Sequence, residues 1–429
     1  MILESTFSSL RHAATDLAKR TTEQKNESLL AVAQSLKNMT PSILAANKID
    51  VERERQKGIK ESLIDRLTLT PERMKGVIHS LKKVVAQPSP IGRIEAGWRT
   101  PNDLKIEQVR VPIGVTAIIY ESRPNVTIDA FALAYKSGNS ILLRGSSSAI
   151  ESNKAILVAI KQGLLNSEQN GSVPNAVELA PSEDRNEVEQ IITARGKIDL
   201  VLPRGSTNLI QLVLEKATVP VVETGSGICH LYVDESADLT MAVRIAKNAK
   251  LQRPGVCNAI ETLLVHKNCI KSFIPALVEN FAGQAQLFCD KQTISIAKKA
   301  ASESKNQKTT LTDIQAATDE HFGYEFLDFI LAIKTVDSVE AAIEHINTYN
   351  TKHSDSIVTT NMENADVFQE QVDASCVYVN SSTRFTDGEE FGFGTELGIS
   401  TQKMHVRGPM GLEALTTTKY IVRGKGHIR

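Results

Sequence analysis

Apolar residues in the first ninety positions recur every three to four residues. Leu10, Ala13, Ala14, Leu17 and Ala18 form one stripe, and Leu29, Leu30, Val32, Ala33 and Leu36 form a second. That spacing puts each set on one face of a helix. Leu63, Ile64 and Leu67 begin a third set. Met74, Val77, Ile78 and Leu81 follow beyond Pro71, which suits the first turn of a new helix. No residue here points to chemistry, and the expected role is a helical layer packed on a later sheet.

The pattern changes at Gly92. From there to Arg110, alternation on both sides of Pro101-Asn102-Asp103 predicts a hairpin that carries the only tryptophan, Trp98. Such a hairpin is either a surface feature or a strand pair that joins a partner subunit. Apolar β runs at 111–120, 140–144, 176–180, 197–202 and 219–222 then alternate with helical stretches at 127–136, 151–165, 184–193 and 207–216. Alternation of this kind predicts a parallel, doubly wound sheet, with ligands at strand C-termini. The sequence has no GxGxxG fingerprint.

In the second half, residues 236–251 read as a helix with Ser236 as N-cap, and residues 259–265 as a buried strand. Further helices are expected at 270–281, 293–304, 336–350 and 365–372, with strands at 327–333, 356–359 and 377–379. The glycine- and hydroxyl-rich tail from Asn380 is too poor in core residues to fold alone and should lie on other elements or on another subunit. The expected division is a first domain at 1–225, a second at 226–378, and a C-terminal segment at 379–429.

The chain has 429 residues, 41% of them hydrophobic, enough for two domains with full cores. A formal net charge of −1 argues against nucleic acid or an anionic membrane as a partner found through bulk charge. The N-terminus lacks the long apolar core of a signal peptide, and no apolar run is long enough to span a membrane. Five cysteines without a CxxC pair fit a reducing cytoplasm rather than a disulfide framework or a zinc site. Cys229-His230 is too small a cluster to hold a metal.

Candidate chemistry centres on Arg253-Pro254-Gly255-Val256-Cys257, between the helix and the strand. A cysteine on a tight turn beside backbone N–H groups and Arg253 is a possible nucleophile; the alternative is one more small buried residue. Arg144 ends a strand before a Gly/Ser turn, and Gly205-Ser206-Thr207 opens a helix; both settings suit an anionic cofactor. Strand-end arginines also serve as salt-bridge partners, and glycine turns are common. Glu223, beside a glycine turn, is either a general base or a structural carboxylate.

Taken together, ordered blocks resemble the γ-glutamyl phosphate reductase branch of the aldehyde dehydrogenase superfamily. They are Pro112-Ile-Gly-Val115, Tyr120-Glu-Ser-Arg-Pro-Asn-Val126, Lys136-Ser-Gly-Asn139, Leu143-Arg-Gly145, Pro203-Arg-Gly205 and Val219-Pro-Val-Val-Glu-Thr-Gly225. Tyr232 to Asp238, Gln252 to Asn258, Val379 to Gly388 and His405 to Leu415 continue the series. In the N-terminal helices only 45–50 and 60–67 look similar. Ser146 and Ser206 stand where the family often has glycine, and Ile228 where it usually has a polar residue.

The resemblance implies an α/β, aldehyde dehydrogenase-like fold of two doubly wound domains, with the 92–110 hairpin and the C-terminal arm joining subunits of a homo-oligomer. It implies NADPH-dependent reduction of L-glutamyl 5-phosphate to glutamate 5-semialdehyde and phosphate, in proline biosynthesis. By the same analogy Cys257 forms a thioester, Asn125 donates to the oxyanion, and Glu223 matches the general-base position. Arg144 would favour NADP over NAD, with Gly205, Ser206 and Thr207 near the pyrophosphate or nicotinamide and Glu325 near the nicotinamide ribose. Arg123 and Arg384 would bind substrate carboxylate or phosphate, and Arg253 would contact phosphate or support the turn. No metal is implied, and a separate glutamate kinase would supply the acyl phosphate. The rival readings are another acylating aldehyde dehydrogenase and a non-catalytic relative.

Overall fold

A computed structural model describes residues 3–181, 184, 186–304 and 313–429. The chain forms two compact units, one of Met1–Thr224, Gly388–Gly398 and Pro409–Arg429, the other of Gly225–Asp387 and Ile399–Gly408. The tail, expected from the sequence as one segment at 379–429, is divided between the two.

The first unit opens with α1 (Glu4–Leu17), α2 (Thr22–Gln56), α3 (Glu61–Leu67) and α4 (Pro71–Ala86). It continues through β1 (Ile94–Arg99), β2 (Lys105–Pro112), β3 (Val115–Tyr120), α5 (Asn125–Lys136), β4 (Ser140–Arg144) and α6 (Ile150–Asn166). Then come β5 (Val177–Leu179), α7 (Asn186–Ile192), β6 (Leu200–Arg204) and α8 (Thr207–Lys216). The parallel sheet has the order β5-β4-β3-β6. The expected strand at 219–222 makes only a single bridge, Val201 to Val221. The apolar run 111–120 also splits: Val111 and Pro112 finish the hairpin, and only β3 enters the parallel sheet.

The helical layer is tied down by specific contacts. Leu10 and Ala14 of α1 pack with Ala117 and Leu142 of the sheet. A reciprocal box of Thr21 and Gln24 caps α2, which runs for 35 residues through Pro41. Gly163 of α6 lies so close to α2 that a Cβ there would stand 2.5 Å from Val32 Cα. Buried Asp50 accepts from Ser152 N at 2.8 Å and Ser152 Oγ at 2.6 Å, and so caps α6 from another helix. The hairpin of β1 and β2 gains a third strand, Thr416–Arg423, antiparallel to β2. Trp98 meets Tyr420 there edge-on, with ring centroids 6.1 Å apart.

The second unit contains β7 (Cys229–Val233), α9 (Leu239–Leu251), β8 (Ile260–His266), α10 (Ile270–Phe281), β9 (Gln286–Cys289), α11 (Ile294–Glu303) and β10 (Ile314–Ala316). It ends with α12 (Asp319–Phe322), β11 (Ile330–Val336), α13 (Val339–Tyr349), β12 (Ser354–Val358), α14 (Met362–Gln371) and β13 (Cys376–Val379). Its parallel sheet has the order β10-β9-β11-β8-β7-β12-β13. Asp238, not Ser236, caps α9, because its side chain accepts from both Thr240 N and Met241 N. Ser236 instead donates to Asp234 Oδ2 at 2.7 Å. Leu327 lies outside the expected 327–333 strand, with a left-handed φ of 54°. Among the described residues, no helix is long and apolar enough to cross a membrane.

Replacing Asp50 with alanine leaves the first turn of α6 without its side-chain acceptor and removes one of the acceptors of Arg53. The expected loss is about 2–3 kcal/mol of unfolding free energy, read by urea denaturation. A loss below about 0.5 kcal/mol would show that solvent replaces the cap.

Candidate active site

Cys257 lies on an irregular loop between α9 and β8. Ala242, Val243, Ala246 and Ala249 bury one face of α9 in the core, and every residue of β8 is buried, so both stems of the loop are rigid. A hydrogen bond from Ala259 N to Val256 O, at 3.1 Å, tightens the turn around the half-buried cysteine. The Cys257 carbonyl accepts from the buried Cys229 thiol at 3.2 Å. On Gly227 a Cβ would stand 1.5 Å from that carbonyl oxygen, so the two main chains touch and only glycine fits.

Gly227 is itself held. Its N–H donates to Glu325 Oε1 at 2.7 Å, while Ile228 N donates to Thr351 Oγ1 at 2.9 Å. Burial pushes the Glu325 carboxyl above its ordinary range, against the pull of the Gly227 N–H and of Lys250. Arg384 clasps the cysteine loop at two points, donating to Gln252 Oε1 at 3.1 Å and to Asn258 Oδ1. Asn258 also donates to Thr386 O at 2.9 Å, and its own carbonyl accepts from Thr383 Oγ1 at 2.7 Å. Burial, and then the neighbouring Arg253 charge, lower the proton affinity of the Arg384 guanidinium; the nearby Asp387 and Cys257 raise it. Cys257, Arg253, Arg384 and Glu325 thus belong to one cluster in the second unit.

The first unit has its own group of polar residues, at the C-terminal ends of its strands. The sheet order places β4 on one side of β3 and β6 on the other, so the C-terminal ends of β3 and β6 open at a switch point of the kind that binds nucleotides. Gly205 and Ser206 lead into α8, whose first intrahelical bond runs from Ile210 N to Ser206 O at 3.1 Å; the N–H groups ahead of it form the open turn. Glu121, following β3, accepts from Ser206 N at 2.7 Å and Ser206 Oγ at 3.2 Å. An acidic side chain therefore already holds one donor of the expected anion site. Arg144 ends β4 with its Nε 4.0 Å from Glu187 Oε2, so this guanidinium also has an acidic neighbour. Carboxylates, Arg144 and the α8 turn thus all lie at the C-terminal ends of these strands.

Asn125 begins α5 and donates through Nδ2 to Asp129 Oδ2, one turn on, at 3.1 Å. Burial raises the Asp129 carboxyl to about 6, against the nearby Arg204 charge and the bond from Asn125. The Arg123 carbonyl accepts from Val126 N at 3.0 Å in the same turn. Glu223 is half-exposed and follows Val222, whose N–H bonds Val201 O at 3.0 Å. Asn125, Arg123, Arg144, Glu223 and the 205–207 turn all lie in the first unit.

Sequence reasoning missed Gly227, Glu121 and Asp129. The first had a signal in Gly225-Ser226-Gly227. The other two act on partners through side chains, and Asp129 is separated from Asn125 by the helical interval of four. Among the described residues, no group of three or more His, Cys, Asp or Glu side chains could hold a metal ion.

A family model described as the aldehyde dehydrogenase family matches residues 4–288 and 307–421. The chain is 49% identical over 422 residues to the gamma-glutamyl phosphate reductase of Alkaliphilus oremlandii, covering 98% of this chain and 97% of that protein. It is 47% identical over 422 residues to that of Kosmotoga olearia, covering 98% of each. The crystal structure of gamma-glutamyl phosphate reductase from Thermotoga maritima superposes with a TM-score of 0.92 at 46% identity, covering 100% of this chain and 99% of that one.

Two predictions follow from these contacts. Gly227→Ala forces the cysteine loop to move by about 1.5 Å or more, and turnover should fall about 100-fold while far-UV circular dichroism is unchanged. Near-normal turnover would show that the loop tolerates the shift. The second concerns Asp129, whose folded-state pKa of about 6 exceeds the ordinary 3.8. Between those values the folded chain keeps a proton that the unfolded chain has lost, so this group's contribution to stability falls as pH rises from about 4 to 6. Asp129→Asn should therefore gain about 1–3 kcal/mol on wild type between pH 4.5 and 7.5 in urea melts. A pH-independent difference would refute the assignment.

Proposed function

The chain belongs to the aldehyde dehydrogenase family, and we propose that it reduces L-glutamyl 5-phosphate to L-glutamate 5-semialdehyde, releasing phosphate, with NADPH as reductant. Near-full-length identity to gamma-glutamyl phosphate reductases carries this reading. The activity is a step of proline biosynthesis.

In this reading the Cys257 thiolate attacks the acyl carbon. The bond to the phosphate oxygen breaks, phosphate leaves, and a γ-glutamyl thioester remains on Sγ. The nicotinamide cofactor supplies the hydride when bound. The carbonyl carbon becomes tetrahedral, and collapse of the resulting thiohemiacetal returns Cys257 and frees the aldehyde. The protein's part is to fix the sulfur, hold the developing oxyanion and neutralise the leaving phosphate. Asn125 and the backbone N–H of Cys257 are assigned the oxyanion, with one amide proton of Asn125 fixed by Asp129. Arg253 and Arg384, beside the cysteine loop, suit the phosphate, and Arg123 the substrate carboxylate. Because reduction from an acyl phosphate needs no thioester hydrolysis, Glu223 is assigned no base step and retains a supporting role.

Arg144 is assigned the 2′-phosphate that distinguishes NADPH from NADH, with Glu187 restraining the guanidinium. Gly205, Ser206 and Thr207 are assigned the pyrophosphate or nicotinamide region, and Glu325 the nicotinamide ribose. The three-stranded sheet of β1, β2 and Thr416–Arg423 suits a subunit contact, since every residue of β1 is exposed in the single chain. A separate glutamate kinase supplies the acyl phosphate, and the setting is cytoplasmic.

The reaction run in reverse tests the activity. With pyrroline-5-carboxylate and NADP, NADPH should form only when phosphate is added, and Cys257→Ser should lower the rate at least about 1,000-fold. Phosphate-independent NADPH formation would replace this reading with a simple aldehyde oxidation. Arg144→Ala should raise the KM for NADP about tenfold or more and leave that for NAD nearly unchanged.

A further inference from the structure

Two charged side chains sit at the stems of the cysteine loop. Lys250 is in the last turn of α9, just before the loop, and Glu261 is the second residue of β8, just after it. Their side chains are wholly buried, and Lys250 Nζ lies 2.6 Å from Glu261 Oε2. The other carboxylate oxygen, Oε1, accepts from Leu327 N at 3.2 Å. Leu327 is two residues from Glu325, which binds Gly227 N, and Gly227 lies against Cys257.

We infer that Lys250 and Glu261 form a positioning clamp for Cys257, closing the loop at its base and linking it through Leu327 and Glu325 to the glycine that backs the cysteine. The inference rests on Cys257 being the nucleophile and adds the residues that hold it.

Stability alone gives a poor account of the pair. Burying two ions carries a large desolvation cost, and well-packed apolar residues of similar volume often hold an interior as well or better. An ion pair provides a fixed distance and direction between two specific atoms, which an apolar contact does not. The second carboxylate oxygen adds another constraint. It holds a backbone N–H in the segment where Leu327 takes a left-handed φ, a conformation that needs outside support in a non-glycine residue. Glu261 therefore fixes both the loop stem and the segment that carries Glu325. Burial raises the Glu261 carboxyl to about 7 while Lys250 opposes that rise, so Lys250 helps to keep Glu261 an acceptor.

The test uses the full-length protein and the variants Lys250→Met/Glu261→Met and Glu261→Gln. The first removes both charges at similar volume. The second keeps an acceptor and is the variant read if the first does not fold. Three quantities are measured: urea stability, kcat and KM in the phosphate-dependent reverse reaction, and the rate at which iodoacetamide alkylates Cys257, followed by peptide mass spectrometry.

The double variant is expected to fold, with any loss of stability confined to the missing acceptor for Leu327 N. Its kcat should fall tenfold or more with KM changed less than threefold, and the alkylation rate should shift at least threefold. Glu261→Gln should recover at least part of the kcat lost in the double variant; read alone, it should still turn over at least threefold more slowly than wild type. A folded double variant with kcat and alkylation rate within twofold of wild type overturns the clamp, and so does a Glu261→Gln protein equal to wild type when it is the variant read. Cys257→Ser is run beside them: full activity there would remove the nucleophile itself, whereas the alkylation rates still report whether the pair positions the thiol.

Discussion

The main chain of Gly227 against the carbonyl of Cys257 is the constraint on which the second unit's site depends. Both residues lie just before neighbouring parallel strands, β7 and β8, so a contact between them sets how the two loops leave the sheet. No side chain larger than hydrogen fits between them. The loop before β7 is then fixed by Thr351 and Glu325, and the loop before β8 by Arg384, Asn258 and Thr383. Each of these contacts joins residues far apart in the chain, and each is a directional hydrogen bond rather than apolar packing. Cys257 is thereby held through the main chain on either side of it.

The parts of this arrangement that could be read from sequence are those encoded locally. Pro254 and Gly255 between an apolar helical stripe and a β-branched run mark a rigid turn, and Cys257 stands out in it. The alternation of strands and helices marks two parallel sheets. Local reading failed where tertiary contacts override local preference. Ser236 has the chemistry of an N-cap, but its hydroxyl bonds Asp234, and Asp238 takes the cap. Residues 219–222 are apolar and β-branched enough for a strand, yet Val221 finds only one partner. Strand β9, with buried residues alternating with half-buried ones, sits between two stronger signals and was not expected. Glu121 and Glu261 were unreadable for a different reason. A carboxylate's role depends on which N–H or cation it reaches, and no spacing rule gives that for partners 66 to 85 residues away, as with Leu327 and Ser206.

The two sheets carry their candidate residues at opposite edges, and this difference explains the residue types found at each. In the first unit the notable residues follow the C-terminal ends of β3, β4 and β6. A chain leaving that edge enters a helix N-terminus, where open N–H groups are available to phosphates. In the second unit Cys257, Gly227, Glu325 and Thr351 all precede strands. A chain reaching that edge comes from a helix C-terminus, where carbonyls point outward and the dipole is negative. Few backbone donors are open there, and the Gly227 N–H is already engaged by Glu325. Positive charge near Cys257 must come from side chains. Arg253 lies close enough to disfavour the charge on Arg384, an arrangement that an anion beside them would relieve. The arginines beside the cysteine loop supply what the edge of the sheet lacks. A substrate bearing a phosphate at the carbon under attack suits such a site better than a neutral aldehyde, because the phosphate brings the missing negative charge with it.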